Sequence, residues 1–361
     1  MNVSLVTGDF LNVNKFLEKD MLSPSLWRSL KIGPTEISLR PTLEGGQCFR
    51  WLPTREGGYF GILGAHCVEL LFRGRQRNVL HFRAYYNHKK ASKEVRALDS
   101  EVEHLLRSYF RIDVNLNALW LTWVQRSRKH SVEKELRAST GRAIRLLQQD
   151  VHETLFTFLC SQNNNVGRIA TMIGKLCESH GSYLGKIPEG VLLRPRSVGK
   201  KDLRGDYLCY SFPSLTQLSK VTSSNLVALS FGYRAPYIVD TCQALHKNPH
   251  MFDVLLNRTA GLSEKRKLLM SLSGVGRKVA DCVLLFSCNE TSIVPLDTHM
   301  AQLARLHFFE AHSEVGERLG LRHMTPKDHD AVQAAFVEVF GEFAGWAHSF
   351  LFHERLTSRA P

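Results

Sequence analysis

A lysine and an aspartate nineteen residues apart have the residue types needed for covalent chemistry at a carbon atom. Lys278 follows the tripeptide Gly274-Val275-Gly276, and Asp297 follows a Val-Pro-Leu segment. A free lysine has a pKa of about 10.4, so a nucleophilic lysine needs surroundings that destabilise its charged form. A lysine nucleophile with a carboxylate nearby suits attack on carbon and passage through a Schiff base.

Two predicted helices position the lysine. The apolar spacing predicts a helix with Ser263 as its N-cap, which breaks at the Gly-Val-Gly turn and restarts close to Lys278. The restarted helix has four apolar residues on one side: Val279, Cys282, Val283 and Phe286. Its first turn disfavours a cation, because the helix dipole is positive there. Asp297 is predicted to open a further helix and to fold back towards the lysine.

Gly274 and Gly276 predict a phosphate clamp. A tight hairpin leaves backbone N–H groups unpaired at the start of the second helix, and glycine lets a phosphate approach closely. Such a contact holds a nucleic-acid backbone without reading bases. An LxGxG hairpin alone is more often a DNA-binding module than an enzyme, so Lys278 could be only a phosphate contact and Asp297 only an N-cap.

Composition narrows the class of protein. A chain of 361 residues can hold two or three compact units, and its formal charge of +13 favours a polyanionic partner. No apolar run reaches the length of about 18 residues expected of a membrane span. The eight cysteines include no C-x-x-C pair, which indicates neither a zinc site nor a disulfide scaffold. The N-terminus has no arginine among its first twenty residues and does not resemble a targeting signal.

The order of the segments predicts an α+β protein. An antiparallel β-rich unit with following helices is expected over residues 23–150, after an extension of residues 1–22, and a helical unit over residues 151–356. Ile37 and Leu39 are predicted to alternate as in a strand. Three further predictions are a solvated basic loop over residues 121–140, a flexible loop over residues 186–211 and a final helix over residues 336–356.

Three consecutive asparagines, Asn163 to Asn165, interrupt the helical pattern that starts at a capping-box-like Asp150. Their amides compete with the backbone for hydrogen bonds, so they predict a turn between two helices. They could also place amide groups against base edges, with Arg168 one turn beyond. Taken by themselves, the asparagines favour the turn.

Several motifs together resemble those of the eukaryotic 8-oxoguanine DNA glycosylases, within the helix-hairpin-helix DNA glycosylase superfamily. The segment GVGRK followed by VPLDTH resembles the family's hairpin, which carries a lysine when the enzyme is also a lyase. CSQNNNVGRI resembles the family's CSSNNNxxRI, and GYRA and AGWA match the family's motifs. The resemblance covers roughly residues 23–356, except the two predicted loops. The four-cysteine iron–sulfur loop of related branches is absent, since no cysteine follows Cys288.

The resemblance implies a role for each motif residue. Lys278 would attack C1′ of a flipped nucleotide, and Asp297 would stabilise the positive charge that develops on the sugar. The flipped base would lie between Cys282 and Phe352, with the Gly46 carbonyl facing N7 of the base. His299 would contact the phosphate or sugar side of the flipped nucleotide. The remaining residues would contact the DNA and the orphaned base: Asn163, Arg168, Tyr233, Arg234, Gly274 and Gly276.

The resemblance is imperfect around the final helix. His348 stands where the family has the glutamine that contacts the Watson–Crick edge of the lesion. Arg355 stands where the family has an aspartate that supports His299, and a shift of this acid to Glu354 is the alternative. A preference for another purine lesion and a non-catalytic helix-hairpin-helix DNA-binding protein therefore remain as alternatives.

The resemblance predicts a DNA N-glycosylase with AP-lyase activity that excises 8-oxoguanine, and formamidopyrimidine-guanine, opposite cytosine in base-excision repair. The chemistry needs no metal or organic cofactor. The expected partner is double-stranded DNA that contains 8-oxoguanine paired with cytosine. We expect a monomer with no membrane association, located in the nucleus, with a mitochondrial form as an alternative.

Overall fold

The structure is a computed structural model that describes residues 20–73, 79–87, 90–138, 142–193, 205–310, 312–319 and 324–357. The predicted extension of residues 1–22 therefore lies almost wholly outside the described residues. The same holds for the middle of the predicted loop over residues 186–211.

An antiparallel sheet forms the N-terminal part, as the sequence predicts. Its strands follow the order β1-β6-β5-β4-β3, with β2 paired to β6, and a separate ribbon contains β7 and β8. The strands are β1 (Leu22–Pro24), β2 (Arg28–Ser29), β3 (Trp51–Pro53), β4 (Tyr59–Leu63), β5 (His66–Arg73), β6 (Val79–Asn87), β7 (Tyr183–Ile187) and β8 (Tyr207–Tyr210). The pair Gly57 and Gly58 turns the chain between β3 and β4, with a φ of 83° at Gly57.

Helices make up most of the remaining described chain. They are α1 (Leu39–Glu44), α2 (Ser92–Tyr109), α3 (Leu116–Arg126), α4 (Val132–Ala138), α5 (Val151–Leu159), α6 (Val166–His180), α7 (Leu215–Leu218), α8 (Ser223–Ala228), α9 (Ala235–Lys247), α10 (Met251–Leu256), α11 (Leu262–Met270), α12 (Arg277–Ser287), α13 (Thr298–His307), α14 (Glu314–Arg318), α15 (Pro326–Phe340) and α16 (Ala344–Thr357). Short 3₁₀ turns cover Ser127–Lys129, Gly232–Arg234 and Gly341–Phe343.

Both faces of the sheet are covered. One face packs on α2 through the apolar stripe that the sequence predicts, with Val102, Leu106 and Tyr109 buried. The other face packs on the ribbon of β7 and β8, where Ile187 and Cys209 are buried. The strands can therefore carry apolar side chains on both faces, which explains why their alternation of apolar and polar residues is weak.

The prediction of a solvated basic loop over residues 121–140 is wrong. Two helices, α3 and α4, span most of it, and Trp123, Val132 and Leu136 are buried in the large core of the helical part. Charged residues separate the few apolar residues of these two helices, so the amphipathic pattern is weak in the sequence. The pattern is recognised only once the core against which the helices pack is known. These helices share their core with the C-terminal helices, although the sequence predicted them in the unit of residues 23–150.

Three smaller predictions are also wrong. Ile37 and Leu39 do not form a strand, because Leu39 begins α1. The ends of the predicted loop over residues 186–211 are strands β7 and β8, which hydrogen-bond to each other. The predicted final helix is two helices, α15 and α16, since Gly341 adopts a φ of 67° and interrupts the chain between them. Among the residues that the structure describes, no helix is both long and apolar enough to cross a bilayer.

Candidate active site

The hairpin has the geometry that the glycines predict. Helix α11 ends at Met270, and α12 begins at Arg277 with Gly276 as its N-cap and with no side-chain cap. Gly274 has a φ of 75°, and a Cβ atom there would lie 2.5 Å from Cγ of Tyr237. Gly274 is therefore required by both its backbone conformation and its packing, whereas Gly276 has open space around it. The first helix begins after Gly261, not after Ser263 as the sequence predicted.

Lys278 lies in the first turn of α12, with its ammonium 5.4 Å from the centre of the Phe158 ring. Burial is the largest influence on its pKa and lowers it, but Cys282 and Asp297 oppose this effect, and the net pKa lies above that of ordinary lysine. Burial acts on Lys278 in the predicted direction, but the net shift of its pKa is opposite to the prediction. Burial also raises the pKa of the Cys282 thiol to about 11, so this thiol is neutral at pH 7 and Asp297 supplies the fixed negative charge.

Asp297 is both an N-cap and a cavity group. Its Oδ1 accepts hydrogen bonds from the backbone N–H groups of His299 and Met300, each at 3.0 Å, which satisfies the first turn of α13. The same carboxylate acts electrostatically on Lys278 and lines the same cavity. The N-cap interpretation and the chemical one are therefore compatible.

A partly open cavity lies beside Lys278. Its empty volume is ≈ 410 Å³, which includes space open to solvent. Six of the residues selected from the sequence line it: Gly46, Lys278, Cys282, Asp297, His348 and Phe352. Phe158 and Phe286, stacked with ring centres 5.5 Å apart, line another part of it.

The extended segment of residues 145–149 connects the chain next to Gly46 with α12. The next residue, Gln47, donates through Nε2 to the Arg145 carbonyl (3.0 Å) and accepts from the Leu147 N–H (3.1 Å). Two residues on, the Gln149 N–H donates to the Phe286 carbonyl of α12 (2.7 Å). Gly46 has a φ of 88° and lines the cavity. The sheet part and the hairpin part of the chain are thus connected directly at the cavity wall.

His348 is a buried imidazole that is neutral at pH 7. Burial is the largest influence on its pKa and lowers it from 6.5 to about 4, although Asp297 and the backbone of Pro295 act in the opposite direction. Its Nδ1 is buried and has no hydrogen-bond partner among the described residues. This ring nitrogen is therefore available to a polar group that enters the cavity.

We expect His348→Gln to flatten the dependence of stability on pH. The unfolded chain binds a proton at His348 below pH 6.5 and the folded protein only below about 4, so stability is lost as the pH falls between these values. The loss from pH 7 to pH 5 is about 2 kcal/mol for this residue. Urea unfolding at both pH values should show a smaller difference for His348→Gln than for wild type. Equal differences would contradict the buried neutral imidazole.

Phe352 lies between two histidines. The His348 ring is nearly parallel to it at 6.0 Å, and the His299 ring meets it edge-on at 6.0 Å. The Nδ1 of His299 is buried without a partner among the described residues. Arg355, which stands where the family has an aspartate, donates to Gln302 at 3.3 Å. No carboxylate bond to His299 is found in the described part of the chain, in agreement with the departure from the family pattern.

A wider groove, called the outer groove here, opens over the cavity. Its empty volume is ≈ 1,900 Å³, including open solvent, and it contains Gly276, Lys278, Asp297, His299 and Asn163. The groove reaches from the exposed N-terminus of α12 to the turn of asparagines. Its size and elongation suit a strand of nucleic acid rather than a small molecule alone.

The three asparagines divide into two roles. Asn164 Nδ2 donates to the Cys160 carbonyl (2.9 Å), and Asn165 Oδ1 accepts from the Arg168 N–H (2.9 Å), which caps α6. Both are structural, as the turn interpretation predicts. Asn163 is exposed with a φ of 44°, and its side chain has no hydrogen bond within the described ranges. All three asparagines line the outer groove, but among them Asn163 is the one whose side chain makes no hydrogen bond within the described ranges. The exposed Arg168 side chain does not line the groove.

Tyr233 and Arg234 hold the back of this turn. Tyr233 is half exposed and donates its hydroxyl to the Gln162 carbonyl (3.0 Å). Arg234 is buried, donates to the carbonyls of Gln162 and Asn163, and lies 4.4 Å from the Tyr233 ring centre. Neither residue lines the cavity or the outer groove, and Gly274 does not either.

Two groups near the lysine have no clear signal in the sequence. Phe158, which lies against the ammonium, looks like an ordinary core residue of α5. Asp281 is buried and accepts from Arg266 (2.7 Å) and Arg277 (3.1 Å), and Arg277 also bonds to Asp330 (2.7 Å). This network ties α12 to α11 and α15. The i,i+4 spacing of Arg277 and Asp281 is its only sequence signal.

Known proteins are similar to this chain over most of its length. The family model described as "8-oxoguanine DNA glycosylase, N-terminal domain" matches residues 29–155. The Arabidopsis thaliana protein named N-glycosylase/DNA lyase OGG1 is 35% identical over 335 residues, which cover 92% of this chain and 81% of that protein. The chain belongs to the 8-oxoguanine DNA glycosylase family.

Three further proteins are similar to this chain over most of its length. The Saccharomyces cerevisiae N-glycosylase/DNA lyase is 28% identical over 352 residues, covering 91% of this chain and 85% of that protein. The solved structure of MBOgg1 with a low-affinity DNA ligand has a TM-score of 0.68 at 24% identity, covering 94% of this chain and 99% of that one. The Clostridium acetobutylicum 8-oxoguanine glycosylase/lyase has a TM-score of 0.66 at 21% identity, covering 95% and 100%. These solved structures confirm the glycosylase fold.

Proposed function

We propose that the protein excises 8-oxoguanine from double-stranded DNA in which the opposite base is cytosine, and then nicks the strand at the abasic sugar. The observation that carries this proposal is that Lys278 and Asp297 line the same cavity, where the Asp297 carboxylate acts electrostatically on the Lys278 ammonium. The relatives named N-glycosylase/DNA lyase support the two activities. The Clostridium neighbour, whose complex contains cytosine opposite 8-oxoG, supports the substrate.

The lysine reaction proceeds by displacement at C1′. The Lys278 nitrogen forms a bond to C1′ while the C1′–N9 bond breaks, and the base leaves with that electron pair and with the proton that the ammonium gives up. The O4′ ring bond then opens, a second N–H proton moves to O4′, and a protonated Schiff base remains. Loss of a C2′ proton and departure of the 3′ phosphate complete the β-elimination. Asp297 stabilises the positive charge on the sugar, since its anionic group is the one that acts on Lys278.

The cavity favours a guanine-type lesion. 8-Oxoguanine carries a hydrogen at N7, where guanine has a bare acceptor. The Gly46 carbonyl accepts no hydrogen bond found between the described residues, so it is available to an N7–H donor. A normal guanine would instead place a lone pair against it, at a cost of about 1–3 kcal/mol. The buried Nδ1 of His348, which has no partner among the described residues, is available to the guanine Watson–Crick edge.

The outer groove takes the DNA backbone and the opposite base. The uncapped N-terminus of α12 is suited to a phosphate, with Gly276 open to it and His299 nearby. Asn163 presents its amide to the groove, and Tyr233 is the half-exposed aromatic group that fills the space left by the flipped nucleotide. Arg234 and Arg168 are the arginines assigned to the orphaned base, since the guanidinium donors suit the acceptor edge of cytosine. The protein acts as a monomer in the nucleus, and a mitochondrial form is the alternative.

Excision from duplexes of one sequence tests the proposal. We expect rapid release of 8-oxoguanine opposite cytosine, slower release opposite adenine, and no release of guanine. Formamidopyrimidine-guanine should also be released, since it keeps the same Watson–Crick donors. A faster reaction on another purine lesion would establish the alternative preference that His348 raises. Binding without any base release would establish a non-catalytic DNA-binding protein.

A further inference from the structure

Gln162 bonds both to the hairpin and to the 3₁₀ turn that contains Tyr233 and Arg234. Its Nε2 donates to the Gly274 carbonyl at 2.6 Å. Its own carbonyl accepts from the Tyr233 hydroxyl at 3.0 Å and from the Arg234 guanidinium. The residue also lines the outer groove. One residue thus connects the segment assigned to the opposite strand with the hairpin that carries Lys278.

A second contact makes this connection stiff. Helix α9 continues directly from the turn that contains Tyr233, and its Tyr237 ring packs on Gly274 so closely that a Cβ atom there would lie 2.5 Å from the ring. The Tyr233 and Tyr237 rings meet edge-to-face with centres 6.2 Å apart. Interiors packed at this density transmit small displacements instead of absorbing them. A shift of Tyr233 therefore reaches the hairpin both through Tyr237 and through Gln162.

The hydrogen bond from Gln162 is made by a residue that departs from the family pattern. The family pattern CSSNNN has serine at this position, where this chain has glutamine. A serine hydroxyl lies one bond beyond Cβ, whereas the glutamine amide nitrogen lies three bonds beyond it. The bond to Gly274 therefore depends on the longer side chain.

We propose that Gln162 is a positioning residue that couples the reading of the opposite base to the placement of Lys278; this inference rests on the proposed function. With cytosine opposite the lesion, Asn163 and the 3₁₀ turn of Tyr233 and Arg234 are held in one position. Gln162 then holds the hairpin in the position that suits the reaction. With adenine opposite, the turn is displaced and the hairpin follows. The discrimination between opposite bases then arises in the reaction step as well as in binding.

Gln162→Met tests this coupling, because methionine has a similar length, adds no charge and cannot donate to Gly274. The measurement is the single-turnover excision rate at saturating enzyme, on 8-oxoguanine opposite cytosine and opposite adenine. We expect the cytosine rate to fall and the adenine rate to change little, so that their ratio falls about tenfold. A loss of folded protein would lower both rates equally and leave the ratio unchanged.

Two further variants complete the experiment. Gln217→Met makes the same substitution at a glutamine that caps α7 outside the groove, and we expect it to keep the wild-type ratio. Gln162→Ser restores the family's residue and is too short to reach Gly274, so it should lower the ratio as well, even if Gln162→Met does not fold. A wild-type ratio in a folded Gln162 variant overturns the inference. Absence of excision by the wild-type protein would instead overturn the proposed function.

Discussion

Lys278→Gln is expected to abolish both base excision and covalent trapping. Glutamine has no nucleophilic amine, so neither the bond to C1′ nor the Schiff base can form. We expect excision of 8-oxoguanine to fall by about 10⁴-fold or more, which corresponds to about 5 kcal/mol or more of transition-state stabilisation. Borohydride reduction with a duplex that contains the lesion should give a covalent protein–DNA adduct with the wild-type protein and none with the variant.

Lys220→Gln is the matched control for this experiment. Lys220 is exposed and lies outside the outer groove, and the substitution removes the same single charge. We expect it to retain trapping and excision at close to wild-type levels. Lys278→Gln should still bind the duplex, because the phosphate-facing N–H groups of α12 remain. An adduct formed by Lys278→Gln would show that another amine is the nucleophile.

Asp297→Asn is expected to slow the reaction by about 10²- to 10³-fold, or about 3–4 kcal/mol, because it removes the negative charge beside the developing cation. Asparagine is as good an N-cap as aspartate, so the bonds to the His299 and Met300 N–H groups should persist and the stability should change little. The change also removes an influence that raises the pKa of Lys278. The pH at which the amine becomes reactive should therefore move downward, which the pH profile of borohydride trapping measures.

Asp150→Asn separates the charge from the cap. Asp150 caps α5 through a bond from the Glu153 N–H at 2.8 Å and is absent from the residues that line the cavity. The same substitution there should leave both the rate and the pH profile of trapping unchanged. If Asp297→Asn kept the wild-type rate while Asp297→Ala only destabilised the protein, Asp297 would be an N-cap and nothing more.

The hairpin and its lysine could be predicted from the sequence because their signals are local. Glycines act on the backbone at their own positions, and a helix cap acts over three or four residues, so Gly274, Gly276 and Asp297 indicate their structure without knowledge of the fold. The same holds for the turn at Asn163–Asn165. The antiparallel sheet was also predictable, because glycine pairs and alternating residues mark short strands.

The use of each asparagine was not predictable, because it depends on distant partners. Asn164 bonds to Cys160 and to Met172 Sδ, while Asn163 is left facing the groove, and the three residues are identical in the sequence. The helices α3 and α4 were missed for a related reason. Their apolar faces are short, and only the core formed with C-terminal helices shows that Trp123 and Leu136 are buried.

Local signals along the chain are enough to identify the groups of the site, an amine at a glycine hairpin and an acid that caps the next helix. The charge states of these groups follow from the folded arrangement. Asp297 and Cys282 raise the pKa of Lys278 against the opposing effect of burial, and burial lowers the pKa of His348. Burial and pairing depend on segments that meet only in the folded chain, as Gly46 meets α12 through the segment 145–149. No spacing along the sequence encodes them.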